Sequence, residues 1–100
     1  MAISEVHHVG ITVTDLDRSI DFYSRVLGFR KTLDMPLGGP SLERLMRLKP
    51  GVRGRSVMMQ QGDSQIGEIE LIKFDPPAAV LTGQKKPGDP GLFMLSFEVR

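Results

Sequence analysis

His8 and Glu70 are the residues whose types and placement could do chemistry. An imidazole nitrogen and a carboxylate oxygen both bind divalent ions, and a carboxylate can also move a proton. His8 opens the run His8-Val9-Gly10-Ile11-Thr12-Val13. Side chains alternate along a strand, so Val9, Ile11 and Val13 share one face and His8, Gly10 and Thr12 the other. The apolar set belongs to the core, which turns His8 away from it. His7 has core-side parity, yet lies near the strand's start where it could still reach solvent, and ranks well below His8. Glu70 stands inside Ile69-Glu70-Leu71-Ile72. A carboxylate among apolar neighbours is expensive to bury unless it is paired or bound to metal. Each residue also has an ordinary reading: a surface or hydrogen-bonded histidine, and a solvated strand face carrying Glu68 and Glu70. Taken together they are two N/O ligands for a divalent ion, short of the usual three or four.

Other chemistry is not signalled. No Gly-rich phosphate loop precedes a helix, and neither HExxH nor GxSxG occurs. Gly38-Gly39 reads as a flexible loop and Lys85-Lys86 as a solvated pair. Met35, Met46, Met58 and Met59 read as core and gap fillers. The chain has no Cys, which excludes disulfides, thiolate ligands and a Cys nucleophile. A net charge of +1 and six aromatic residues in 100 give nucleic acid little to bind. No apolar run approaches the roughly 20 residues that span a membrane, and the start lacks the features of a secretory signal. A cytoplasmic protein is the expectation.

The elements that must position His8 and Glu70 follow from periodicity and punctuation. Residues 6–13 alternate and are rich in β-branched types, a half-buried strand. Thr14-Asp15 supplies an N-cap. Leu16, Ile20, Tyr23 and Leu27 then make one helical stripe, with Asp21 and Arg25 paired on the exposed side. Gly28 ends the helix. Residues 29–34 read as a second strand, 35–39 as a loop and 41–48 as a short helix stopped by Pro50-Gly51. Residues 55–60 and 66–74 read as further strands around a turn at Gly62-Asp63-Ser64. Residues 75–90 are rich in Pro and Gly and read as a linker, and 92–99 as a last strand. The order is βαβββ, linker, β.

That last strand resembles the first. Leu95, Phe97 and Val99 match Val9, Ile11 and Val13, while Met94, Ser96 and Glu98 match His8, Gly10 and Thr12. The second copy stops where its helix should begin, so the chain reads as a truncated form or a piece of a longer, two-module protein. Met94 occupies the place of His8.

The run from His7 to Phe29, with the spacing Asp15-x-x-x-Ser19-x-x-Phe22-Tyr23-x-x-x-Leu27-Gly28-Phe29, resembles the opening of the vicinal oxygen chelate superfamily. That group includes glyoxalase I, methylmalonyl-CoA epimerase, extradiol dioxygenases, fosfomycin resistance enzymes and bleomycin resistance proteins. Ile69-Glu70-Leu71 resembles its ligand strand and Phe97-Glu98-Val99 the start of its second module. The resemblance implies an α+β fold, one βαβββ module of the glyoxalase/bleomycin resistance/dioxygenase type with the second module truncated. Residues 1–100 would form one incomplete domain: a first module over 1–75, a linker over 76–90 and the start of a second module over 91–100. The resemblance also implies His8 and Glu70 as metal ligands and Glu70 as the catalytic carboxylate. The ion would be Zn, Mn, Ni, Mg or Fe(II), although Met94 stands where the family has its second His. Thr12, Met94 and Ser96 would line the substrate cavity. The segment 41–50 resembles an insertion that could close over the cavity as a lid, or serve as a plain surface helix.

Three functions compete. The first is a metal-dependent lyase or isomerase acting on a small oxygen-bearing metabolite, with extradiol-type ring cleavage as a variant. The second is a metal-free small-molecule binder of the bleomycin resistance type, with Met94 in its wall. The third is an interaction module with no ligand. One fold hosts all of these chemistries, so the site must decide. Unpaired sheet edges favour a homodimer.

Overall fold

Alternating apolar residues and a well-marked helix start shape the first third of the chain. The computed structural model describes residues 2–75, Gly88 and residues 95–98. Strand β1 (His8–Thr12) leads into helix α1 (Leu16–Asp21). Asp15 caps that helix, its Oδ1 accepting from the Arg18 N–H at 3.0 Å. The expected single helix over 16–27 changes character part-way: residues Phe22–Val26 form a π-helical turn. Arg25 pairs with Asp21 across the junction, at 2.9 Å. Gly28 then takes φ +76°, a left-handed conformation that glycine adopts without strain.

Strand β2 is Phe29–Leu37, helix α2 is Pro40–Met46, β3 is Arg53–Gln61 and β4 is Glu68–Asp75. The expected loop at 35–39 is therefore half strand. Pro36 does not stop β2, because β2 lies at the sheet edge, where a missing N–H can be tolerated. Asp75, the first residue of the expected stretch 75–90, ends β4, and the rest of that stretch lies outside the described residues apart from Gly88. Of the expected last strand, residues 95–98 are described and carry no strand pairing. Phe97 nonetheless meets Phe29 edge-on, with ring centroids 5.8 Å apart.

The sheet order is β1-β4-β3-β2. β1 runs parallel to β4, and the other pairs are antiparallel. Backbone bonds continue the β1–β4 ladder beyond both ends of β1, from Gly67 N to Val6 O and from Val13 N to Ile72 O.

Each face of the sheet has its own cluster. On the α1 side, Leu16, Phe29, Val57, Met59, Ile69 and Leu71 are buried, with Ile11, Val13, Ile20, Tyr23 and Leu27 packed around them. Burying each of the large apolar side chains contributes about 1.5–3 kcal/mol. On the other side, Val52, Ile72 and Phe74 form a smaller cluster, joined by Leu37 and by Leu48 from the segment after α2. The four methionines do not act as one set. Met59 is fully buried, whereas Met35 and Met46 are exposed. At the edge of the α1 side, Asp34 accepts from Arg55 and, at 3.1 Å, from Lys31. The Arg55 guanidinium holds the Asp34 carboxyl well below the usual carboxylate range.

Candidate functional site

Two strands remote in sequence but adjacent in the sheet bring His8 and Glu70 together. Gly10 is the direct partner of Glu70 in the β1–β4 register, and His8 that of Glu68. His8 therefore reaches Glu70 diagonally, with Nε2 3.6 Å from Oε1. Both side chains stay partly open to solvent, at 39% and 24% exposure. Glu70's second oxygen is held from the other flank. Ser56 on β3, itself buried, donates to Glu70 Oε2 at 2.6 Å. One carboxylate oxygen is thus fixed by a hydroxyl and the other faces an imidazole. Gly10 leaves room above this pair: a Cβ there would lie 3.6 Å from Glu70 Oε1, so a large side chain would cover the carboxylate.

A second pair lies next to the first. His7 Nε2 stands 3.5 Å from Glu68 Oε2, and His7 Nδ1 lies 2.8 Å from His8 Nδ1. His7 reaches solvent despite its core-side parity, as its place near the strand's start allows. His7 stands just before the regular strand, and its side chain is 58% exposed. Glu68 departs from the solvated reading, with only 11% of its side chain exposed. The resulting order of side chains is Glu68, His7, His8, Glu70, Ser56.

Sequence reasoning brought forward His8 and Glu70 and missed Ser56, His7 and Glu68 as their partners. For Ser56 a signal existed. Alternation along 55–60 puts Ser56 and Met58 on one face, and Met58 pairs with Glu70. Thr12 shares the face of His8 but lines a hollow of about 530 Å³ beside α1, together with Asp15, Arg18 and Phe22. Another hollow, of about 330 Å³, lies between Asp15, Asp17, Arg53, Arg55, Lys73 and Asp75. Neither includes His8 or Glu70, which stay 39% and 24% exposed. Ser96 lies outside the strands, and no hydrogen bond joins it to His8 or Glu70. Met94 lies outside the described residues.

Residues 5–99 match the family model of the Glyoxalase/Bleomycin resistance protein/Dioxygenase superfamily. The chain belongs to this superfamily. A solved structure of a glyoxalase family protein from Bacillus cereus is similar, with a TM-score of 0.75 and 22% identity. The likeness covers 92% of this chain and 60% of that one, so this chain spans about 60% of the length of that relative. At that identity the likeness speaks for the glyoxalase-type fold. UcmS2 is 28% identical over 72% of this chain and 44% of its own, with a TM-score of 0.49. No curated protein matches the chain. Among the described residues of this superfamily member, no helix is long and apolar enough to cross a membrane.

Members of the superfamily often use metal ions, and the donors here can be tested against one. With metal–ligand bonds of about 2.1 Å, neighbouring donors in a tetrahedral shell lie about 3.4 Å apart. His8 Nε2 and Glu70 Oε1, at 3.6 Å, fit two adjacent positions of such a shell. Among the described residues, no third His, Cys, Asp or Glu converges with them. The donor pair suits part of a metal shell.

Proposed function

We propose that this superfamily member is a cytoplasmic, metal-dependent enzyme of the lyase or isomerase type that acts on a small oxygen-bearing metabolite. His8 and Glu70 would hold a divalent ion, Zn, Mn, Ni, Mg or Fe(II). The supporting observation is the 3.6 Å approach of His8 Nε2 to Glu70 Oε1, with Ser56 on the carboxylate's other oxygen. When bound, such an ion supplies Lewis acidity toward a substrate oxygen. Glu70 is the proton-handling group of this reading. The Ser56 hydroxyl fixes Oε2 and leaves Oε1 toward His8, where it would serve as the ion's ligand or, when not bound to it, as acceptor of a substrate proton. Leu33 and Met35 on β2 offer apolar contact on the same face. Among the described residues, β1 and β2 are the outer strands of the sheet, and edges of this kind support a homodimer.

One observation favours a second reading, a metal-free small-molecule binder of the bleomycin resistance type. Leu33 and Met35 are 51% and 43% exposed on the site face. Large apolar side chains in that position suit a sequestered planar ligand.

Elemental analysis of protein purified without chelator, beside His8→Ala and Glu70→Ala, separates the two. The enzyme reading expects near-stoichiometric divalent metal in the parent and its loss in both variants. A parent that carries no metal even after soaking with Zn, Mn, Ni or Fe(II) overturns it in favour of the binder.

A further inference from the structure

We infer that His7 and Glu68 are positioning residues: they set the tautomer of His8, so that its Nε2 presents a lone pair toward Glu70. The consequence for metal binding rests on the proposed function, whereas the tautomer itself does not.

The argument starts at the most covered end of the row. Glu68 keeps 11% of its side chain exposed and faces His7 Nε2 at 3.5 Å. A carboxylate repels a ring-nitrogen lone pair and attracts an N–H, so it favours the proton of His7 on Nε2. A neutral His7 with its proton there has a bare Nδ1. That Nδ1 lies 2.8 Å from Nδ1 of His8, a hydrogen-bond distance that needs one proton between the two nitrogens. Glu70 makes the same demand on His8 Nε2, but it is more exposed than Glu68, 24% against 11%, and already accepts from Ser56, so the demand of Glu68 prevails and His8 donates the shared proton. A neutral His8 with its proton on Nδ1 carries its lone pair on Nε2, the atom aimed at Glu70 Oε1.

At 3.6 Å those two atoms are too far apart for a hydrogen bond, and each offers electrons rather than a proton. Such an arrangement suits a cation between them. Ser56 completes it by supplying a proton to Oε2 and leaving Oε1 without one. A metal-binding histidine commonly donates its second N–H to a carboxylate, a carbonyl or water, which fixes the ring and its tautomer. Here the acceptor is another imidazole, oriented in turn by a carboxylate. The two rings meet edge-on, at 84° with centroids 5.0 Å apart. The backbone holds the row in register, since Glu68 N–H donates to His7 O at 2.9 Å.

The test is long-range ¹H–¹⁵N NMR of the histidine rings in metal-free protein, at a pH where both imidazoles are neutral. It is run on the parent, His7→Ala and His7→Asn. The relay expects the His8 proton on Nδ1 in the parent and a shift toward Nε2 in His7→Ala. His7→Asn restores the parent tautomer, because its Oδ1 can accept in place of His7 Nδ1. Titration with Co(II) alone then expects a Kd about 10- to 100-fold weaker in His7→Ala and largely recovered in His7→Asn. A parent His8 protonated on Nε2, or a tautomer unchanged in His7→Ala, overturns the relay. A parent that binds no cobalt overturns the metal reading, and a tautomer that still switches in that protein upholds the relay.

Discussion

On the α1 side of the sheet, Val57, Met59 and Leu71 keep 0% of their surface exposed. On the opposite side, the side chains of His8 and Glu70 keep 39% and 24% of theirs. Leu71 and Glu70 are consecutive residues of β4, separated only by the alternation of the strand. The difference shows how this domain divides its tasks. One face supplies stability through apolar contact with α1. The other is relieved of that duty over half its length, where polar groups can remain partly hydrated. Its remaining part is again apolar, where Ile72 and Phe74 pack with Val52. The boundary runs through β3 and β4, with Ser56 the buried polar residue beside Glu70.

Substitutions on the two sides should separate stability from binding. The largest loss of stability is expected from Leu71→Ala, which opens a cavity in the covered face and costs about 2–5 kcal/mol. Urea unfolding measures it, and metal content per folded molecule should stay at the parent value. A Leu71→Ala protein that is as stable as the parent would erase the contrast between the faces. Ser56→Ala should fall between the two behaviours. It removes one hydrogen bond, costing about 1 kcal/mol, and frees the carboxylate of Glu70 to rotate. The expected result is a small stability loss with a metal Kd weakened about 10-fold. Equal metal affinity in parent and variant would show that Ser56 belongs to the scaffold alone.

The smallest effect is expected at the edge of the α1 side, from Asp34→Asn. The folded-state pKa of Asp34 is depressed, chiefly by its bond from Arg55. Its contribution is therefore complete above the ordinary carboxylate pKa near 3.9, and is lost as pH falls from there through the depressed folded value. Thermal unfolding should show a slight advantage of the parent over Asp34→Asn at neutral pH, shrinking below about pH 4. An advantage that grows on acidification would contradict the pairing.

Much of this arrangement can be read from particular residues. The alternation around His8, the cap at Asp15, the stripe from Leu16 to Leu27 and the stop at Gly28 each leave a local mark, and the elements follow them. The pairing of His8 with Glu70 follows once β1 and β4 are neighbours, because both residues face away from the α1 side. Three features leave weaker marks. Pro36 reads as a breaker, yet an edge strand accepts it, which only the strand order reveals. The widened turn at Phe22–Val26 keeps Tyr23 and Leu27 against the core, so the apolar stripe looks the same with or without it. His7 stands just before the regular strand, and its partners depend on side-chain directions that spacing does not encode.

The parallel union of β1 with β4 also has a consequence in time. β2, β3 and β4 form a continuous antiparallel run, whereas β1 pairs in parallel with β4, about 60 residues away in sequence, the longest-range pairing of the sheet. Non-local pairing of this kind pays its loop-closure cost before it gains contacts, and it slows folding. His8 and Glu70 meet only when β1 docks on β4. The site therefore depends on the longest-range pairing of the sheet, and an ion or ligand that bridged the two residues would act as a latch on β1.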